Sequence, residues 1–423
     1  MNLNIESERI ELQKDIAARV RYCYRENIRD RIIKICGISG MGKTQLALNY
    51  AQNTKCNMYF SFRGLDYRTA LTQFKNTFSV WYDLSSATTW QDAFQLLVPF
   101  FKKHTTRIIL DDLEHSKSES EVITAIEKLS ESLTDMKNLF LLPCRCESSF
   151  GKHELFRVPL YTASDIKKRT QKMSAVDIAR LCAVTGGLPA LLNDYDENKS
   201  FSDNFNAWIS TDSMLYRLMP QILSEQFRTP ESYHAILYAI ATGKHRLSKI
   251  AKHMAVPNNQ CKKYLDALIA AGLIAVKEHH YSILNSYVDF WHRFFYLDRI
   301  RLVTAPSDAA SEILSQLDEF ALEKQLHECI KKLPFDIPND AKRQYNAVFD
   351  YVFKNGSHTV LVKLPESLDW HCTKQELDTL LSRVTDYCDA FYESEICVVS
   401  FHRFSNYCVK QAGQLDNLRL VVG

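Results

Sequence analysis

Gly37-Ile-Ser-Gly-Met-Gly-Lys-Thr44 follows the apolar run Arg31-Ile-Ile-Lys-Ile-Cys36 and leads into the helix-like segment Thr44–Gln52. The octet fits the pattern G-x-x-x-x-G-K-[ST], and its chemistry explains the pattern. Glycines let the backbone turn so that N–H groups converge on phosphate oxygens. The helix that follows adds its positive N-terminal end. A lysine at position 43 reaches the β- and γ-phosphates, and a hydroxyl at position 44 meets Mg²⁺. A strand before it and a helix after it are the context this cradle needs. The segment therefore predicts ATP held with Mg²⁺ by Gly37, Ser39, Gly40, Met41, Gly42, Lys43, Thr44 and Gln45.

Such a cradle needs an acidic residue at the end of a buried strand. Arg107-Ile-Ile-Leu-Asp-Asp-Leu-Glu114 supplies one. Asp111 is expected to hold Mg²⁺ through water, and Asp112 to orient or deprotonate the attacking water. An aspartate at the second place reaches less far than a glutamate, so slow turnover is expected.

Around these segments the chain alternates strand-like and helix-like stretches. Cys56–Phe62, Arg107–Leu110, Leu139–Leu142 and Phe156–Leu160 read as strands; Tyr67–Phe78 and Trp90–His104 read as helices. That order predicts a parallel sheet covered on both faces. Residues 5–26 read as an amphipathic helix. From about residue 165 the pattern turns helical, with Ser164–Leu192 and Phe201–Leu223 as helices and Asp298–Ala310 as a linker. The last part is mixed: Ser311–Lys332 and Lys374–Tyr392 helical, Asn346–Phe353, His358–Leu364, Ile396–Phe401 and Leu418–Val422 strand-like.

A chain of 423 residues, 46% hydrophobic and 24% charged, can bury a core in each of several globular domains. A net charge of +2 gives no global field toward nucleic acid or membrane. The longest apolar run, Ala267–Val276, is too short to cross a bilayer. Met1–Ile10 has no apolar signal-peptide core. The twelve cysteines are scattered and include no CxxC pair, which reads as free thiols in a reducing compartment. A cytoplasmic location with no membrane partner is the expectation.

With these residues placed, the chain resembles the STAND class of P-loop ATPases, which includes the NB-ARC signalling proteins and the archaeal-type ATPases. Four segments carry the resemblance. The cradle extends to Ala47 as GISGMGKTQLA. Leu110-Asp-Asp-Leu113 resembles the "LDDV" box. Asn138-Leu-Phe-Leu-Leu-Pro-Cys-Arg145 resembles the strand that ends in "TTR". Thr185-Gly-Gly-Leu-Pro-Ala-Leu191 resembles the "GGLPLAL" box. Glu6–Leu12 is similar to the acidic-Arg start before such cores. The resemblance implies that Arg145 senses the γ-phosphate and that Pro189 packs near the adenine. Pro143 and Cys144 stand where the family has a polar pair, which bears on hydrolysis more than on binding. Read from the residues alone, Arg145 has the alternative of a strand-end surface arginine, and Gly186–Pro189 that of a helix cap followed by a turn.

The resemblance covers about residues 5–300. It implies an α/β fold: a P-loop NTPase parallel sheet over 1–163, a helical lid over 164–228, a winged helix over 229–297 and a nuclease-like α/β domain over 298–423. Ser232–Ala241, Leu247–Met254 and Pro257–Ala271 read as three helices, with a β-wing starting at Gly272-Leu-Ile-Ala-Val276. Asn258, Asn259, Gln260, Lys262 and Lys263 sit at the start of the third. Lys244, His245, Arg246, Lys249 and Lys252 add local positive charge. That suits phosphate contacts with DNA, while the same module in STAND proteins also locks the nucleotide. Tyr281–Tyr296 resembles the "FW-x-RF" signature of the archaeal-type branch, and Phe290, Trp291, Phe294 and Phe295 read as core.

In that branch the chain usually ends in a PD-(D/E)XK nuclease-like domain. Asp350 and Lys363 match its pattern, but Leu361 stands where the second acid belongs and Val348 replaces a further one. One carboxylate with one lysine is a poor Mg²⁺ site. An ordinary ion pair between Asp350 and Lys363 is the alternative, with the domain serving as an interaction surface for DNA, another protein or self-assembly. The expected function is an ATP/ADP-binding switch with slow hydrolysis; the alternative is an ATP-dependent DNA-binding or DNA-processing protein.

Overall fold

The computed structural model describes residues 31–422 except 115, 134–137, 146–148, 171, 339–340 and 345–346, together with 14 and 16–18. The expectation for Glu6–Leu12, most of the helix at 5–26 and the first residue of the strand at Asn346–Phe353 lie outside the described residues. The chain divides into two compact units.

The first unit comprises Met1–Leu160, Leu188–Tyr195 and Met214–Arg293. Its centre is a five-stranded sheet in the order β2-β3-β4-β1-β5. The strands are β1 (Ile32–Cys36), β2 (Cys56–Ser61), β3 (Thr106–Asp111), β4 (Asn138–Cys144) and β5 (Glu154–Arg157), all paired in parallel. Every residue of β1 and of β4 is buried. Continuous burial is why their sequences, IIKIC and NLFLLPC, are apolar nearly throughout rather than alternating. At the β2 edge, Met58 and Phe60 are buried while Asn57 and Tyr59 are exposed, so one face is covered there.

Helices α1 (Lys43–Ala51), α2 (Tyr67–Phe78), α3 (Trp90–Leu96), α4 (Val98–Lys103) and α5 (Glu119–Glu131) accompany this sheet. Asp66 caps α2 by accepting from the Arg68 and Thr69 amides, and Thr89 and Asp92 form a capping box on α3. The segment Trp90–His104, read as one helix, breaks at Leu97; Pro99 lies in the first turn of α4, where its missing N–H costs nothing. Phe60, Phe62, Phe74 and Trp90 meet at ring-centroid distances of 4.9–6.5 Å and fix the packing beneath β2.

The same unit holds α8 (Pro189–Leu192), α10 (Met214–Gln226), α11 (Pro230–Ala241), α12 (Leu247–Met254), α13 (Asn258–Ala270), an antiparallel hairpin of β6 (Ile274–Lys277) with β7 (His280–Ile283), and most of α14 (Ser286–Phe294). Two bonds tie α14 to α10: the Tyr287 hydroxyl donates to Leu215 O at 2.9 Å, and Trp291 Nε1 donates to Tyr216 O at 3.0 Å.

The second unit comprises Tyr161–Gly187, Asp196–Ser213 and Phe294–Gly423. It contains α6 (Ala163–Arg169), α7 (Ala175–Thr185), α9 (Phe201–Trp208), α15 (Arg299–Thr304) and the long α16 (Pro306–Ile330). Arg180 on α7 grips Asp318 on α16 with two bonds of 2.6 and 2.8 Å. The expectation of a linker at Asp298–Ala310 is corrected: those residues are largely helical. Pro306 opens α16 in its first turn, and Ala309 and Ala310 are buried.

A four-stranded sheet in the order β11-β10-β9-β8 completes this unit, with β8 (Tyr351–Asn355), β9 (His358–Lys363), β10 (Ser394–Ser400) and β11 (Leu418–Val422). Only the β8–β9 pairing is antiparallel. Helices α17 (Lys374–Ser382) and α18 (Asn406–Ala412) belong to it. Among the described residues no helix is long and apolar enough to cross a membrane.

Candidate nucleotide site

The strand order decides what meets at the cradle. β4 lies between β1 and β3, and its register pairs Cys36 with Cys144. The Gly37 amide donates to Cys144 O at 3.1 Å. Arg145, the next residue, therefore emerges between the glycine loop that follows β1 and the aspartates that end β3.

Within the loop, Gly40 has φ +88°, and a Cβ there would lie 3.0 Å from a Leu218 methyl on α10. A side chain there would be strained by the backbone and would have to displace the Leu218 methyl. Gly40 O accepts from the Ala190 amide at 3.1 Å, which fastens the start of α8 to the loop. Gly42 stands at the N-cap of α1 and offers no capping oxygen. An anion is the natural cap for such a helix start.

Lys43 donates from Nζ to Ile38 O at 3.1 Å. Burial, followed by the nearby Arg145 charge, pushes its pKa below the ordinary 10.5. A lysine so placed gains from an incoming anion. Thr44 Oγ1 donates to Asp111 Oδ2 at 2.7 Å, and the Tyr59 hydroxyl donates to the same oxygen at 3.2 Å. A hydroxyl and a carboxylate converging this way, beside a phosphate cradle, fit Mg²⁺, which takes one or two protein ligands and leaves the rest to phosphate and water.

Asp112 adopts φ +53°, a left-handed conformation that aspartate tolerates better than most residues. Its Oδ2 accepts from Ser61 Oγ at 3.0 Å, and its Oδ1 lies 3.4 Å from Arg145 Nη2. The Arg145 guanidinium also faces Glu114 at 3.7 Å and Glu225 on α10 at 3.2 Å. The Arg145 amide donates to Glu114 Oε2 at 2.7 Å. One guanidinium thus serves three carboxylates.

These groups line a cavity of about 600 Å³, within the range of small-molecule sites. Ser39, Gly40, Gly42, Lys43, Thr44, Gln45, Asp111, Asp112, Arg145 and Pro189 all face it. Of the residues expected at the site, Gly37 and Met41 do not line it: Gly37 is held against β4 and Met41 is buried. Tyr59, Ser61, Arg63, Glu114, Gln221 and Glu225 line it as well and were not expected. Glu114 stands two positions beyond the aspartate pair in the sequence. Glu225 lies 80 positions beyond Arg145 with no local motif to mark it.

At this strand order and loop the fold is decided. It is the P-loop NTPase fold. In fold the chain is similar to a Walker-type ATPase of Pyrococcus abyssi, at 15% identity, covering 69% of this chain and 96% of that one with a TM-score of 0.51. Weaker similarities reach the ORC2 protein of Aeropyrum pernix (15% identity, 71% and 94% covered, TM-score 0.42) and the RuvB Holliday junction branch migration motor of Thermotoga maritima (15% identity, 65% and 91%, TM-score 0.33). No protein-family model matches the chain, and no curated protein matches it in sequence.

The GGLP segment of this P-loop chain is a helix cap followed by a turn. Gly186 ends α7 in a left-handed cap, and Pro189 starts α8 at the cavity. Gly187 has φ +70°, and a Cβ there would stand 2.1 Å from Tyr161 O, so only glycine fits.

Elsewhere, Asn258, Asn259, Gln260, Lys262 and Lys263 are exposed at the start of α13, with Lys262 paired to Asp266. Phe290, Trp291, Phe294 and Phe295 are buried. In the second unit, Asp350 is closely bound. Its Oδ1 accepts from Arg343 Nε and Nη2 at 3.1 and 3.0 Å, and its Oδ2 accepts from the Leu364 amide at 2.8 Å and lies 3.8 Å from Lys363 Nζ. Lys363 bonds Glu366 at 2.5 Å. Among the described residues no group of three or more His, Cys, Asp or Glu could hold a metal ion.

Proposed function

We propose that this P-loop protein binds ATP with Mg²⁺ at the Gly37–Thr44 cradle and acts as a STAND-type switch with slow hydrolysis. The convergence of Lys43, Thr44, Asp111 and Arg145 on one cavity supports it most. Lys43 and Arg145 would stabilise charge on the transferring phosphoryl group, and Asp112 would orient or deprotonate the attacking water. Thr44 and Asp111 would hold Mg²⁺, which when bound shields phosphate charge. Pro189 would border the adenine.

Slow turnover is favoured by two observations. Asp112 is short and already engaged by Ser61 and Arg145. Arg145 is shared among carboxylates rather than poised for phosphate alone. A switch needs an element that differs between nucleotide states. The helix α10 suits this role: it reaches the cavity through Gln221 and Glu225, and its first residues are bonded to α14, which follows the β6–β7 hairpin. We read α11–α13 with the hairpin as a winged helix that receives the nucleotide state in a cytoplasmic protein. The C-terminal sheet is read as a nuclease-like fold without cleavage activity, offering a surface to a partner or to a second copy.

Limited proteolysis in ATP and in ADP tests the switch. Different cleavage patterns around α10 and α11 are expected; identical patterns with both nucleotides bound contradict it. A DNA-binding reading has its own support in the exposed Asn259, Lys262 and Lys263. It predicts salt-dependent DNA affinity that Lys262→Ala with Lys263→Ala weakens, and no binding at low salt would end it.

A further inference from the structure

Glu225, near the end of α10, makes more contacts in the cavity than a surface glutamate would. Its Oε2 accepts from Ser39 Oγ at 2.8 Å and from Arg145 Nε at 3.2 Å. Its Oε1 accepts from Gln221 Nε2 at 2.8 Å and from Arg63 Nη2 at 3.3 Å. Burial raises the Glu225 carboxyl, but the bonds from Gln221 and Ser39 and the charges of Arg145 and Arg63 outweigh it, and the pKa lies below the ordinary value. The group is therefore an anion at neutral pH.

A carboxylate and a terminal phosphate ask for the same donors: a guanidinium fork and a short hydroxyl or amide. Glu225 occupies such donors on the cradle (Ser39), on the end of β4 (Arg145) and after β2 (Arg63). Asp111 at the end of β3, with Asp112 and Glu114 just beyond it, also lines the cavity, so an entering phosphate meets further carboxyl groups until one yields. Glu225 is the carboxylate carried by a helix rather than by the sheet.

We infer that Glu225 is an internal competitor of the nucleotide's terminal phosphate, so that a triphosphate takes Arg145 and Ser39 from it and frees the end of α10. Arg63, released in the same exchange, is a second cation for that phosphate. A diphosphate, lacking the terminal group, leaves the Glu225–Arg145 contact in place. Glu225 is thus a specificity-determining residue that makes triphosphate binding do work on α10. The bonds from Tyr287 and Trp291 to the first turn of α10 provide the path by which that work reaches α14. The inference rests on the ATP reading of the site.

The test is calorimetric titration of the full chain with MgATP and with MgADP. Glu225→Gln keeps the shape and removes the charge; it is expected to tighten ATP about tenfold and ADP by less than about threefold. Glu225→Asp, too short to reach Ser39 and Arg145 together, is expected to change both in the same direction. In an Arg145→Ala background the gain from Glu225→Gln should fall below about threefold, because Ser39 is then the contested donor that remains and it carries no charge. Unchanged or weaker ATP binding in Glu225→Gln and Glu225→Asp overturns the competition while leaving ATP binding by the wild type intact. Folded wild type and variants that bind neither nucleotide overturn the ATP reading, and the competition with it.

Discussion

Thr44 Oγ1 and Asp111 Oδ2 are joined by a 2.7 Å hydrogen bond, although 67 positions separate them in the chain. The bond brings the end of β3 to the first turn of α1 and sets the two oxygens at one point of the cavity. Thr44→Val removes the hydroxyl and keeps the shape. The Mg²⁺-dependent part of ATP affinity should fall by about tenfold, while ATP binding in excess chelator stays the same. Titrations with and without Mg²⁺ read this directly.

Asp112 combines a left-handed backbone with the proposed role of orienting or deprotonating the attacking water. Asn tolerates that backbone, so Asp112→Asn should melt close to wild type and bind ATP while losing hydrolysis in a phosphate-release assay. Asp112→Val should instead lose about 1–2 kcal/mol of stability, because a β-branched side chain does not fit φ +53°.

His292 gives the first unit an acid-sensitive element. Its Nδ1 lies 2.7 Å from Val288 O, which makes it the donor there, so its Nε2 accepts from His234 Nδ1 at 3.0 Å. Burial, opposed by the Val288 bond and reinforced by His234, lowers the His292 pKa from 6.5 to about 3. The unfolded chain then binds a proton that the folded chain refuses. Stability is whole above pH 6.5 and is lost as pH falls toward 3, with a slope of about 1.4 kcal/mol per pH unit from this group. Denaturant melts of His292→Gln across that range should show a shallower decline than wild type; parallel curves would refute the assignment.

Asp350 is held by Arg343, Lys363 and the Leu364 amide, so its carboxylate is a structural anion. Asp350→Asn should cost roughly 2 kcal/mol in chemical denaturation, because the two bonds from Arg343 and the one from the Leu364 amide lose their charged acceptor. Wild type should not nick supercoiled plasmid in Mg²⁺ or Mn²⁺. Nicking that Asp350→Asn abolishes would reverse the reading of this domain.

The parts of the site visible in the sequence share one property: their chemistry is written in a short, contiguous segment. Gly37–Thr44 and Asp111–Asp112 match patterns that ask for particular residues at fixed spacing, as phosphate and Mg²⁺ chemistry requires of such a cradle. Tyr59, Ser61 and Glu225 reach the same cavity through the fold alone, from β2 and from α10, and nothing beside them in the chain announces it. The same holds for Arg343, whose partner Asp350 was legible while the pairing was not. Parallel strands were readable because burial on both faces makes them apolar throughout. Asp298–Ala310 was misread because Pro306, Ser307 and Asp308 have the composition of a turn, whereas a proline in the first turn of a helix starts it.

ATP binding at the cradle is proposed to depend on Lys43. Calorimetric titration of MgATP into wild type and into Lys43→Ala measures that dependence. Saturable binding by wild type, weakened at least about a hundredfold in a folded Lys43→Ala protein, is the predicted result. Equal affinity in the two proteins, or a folded wild type with no affinity for ATP or ADP, would contradict it.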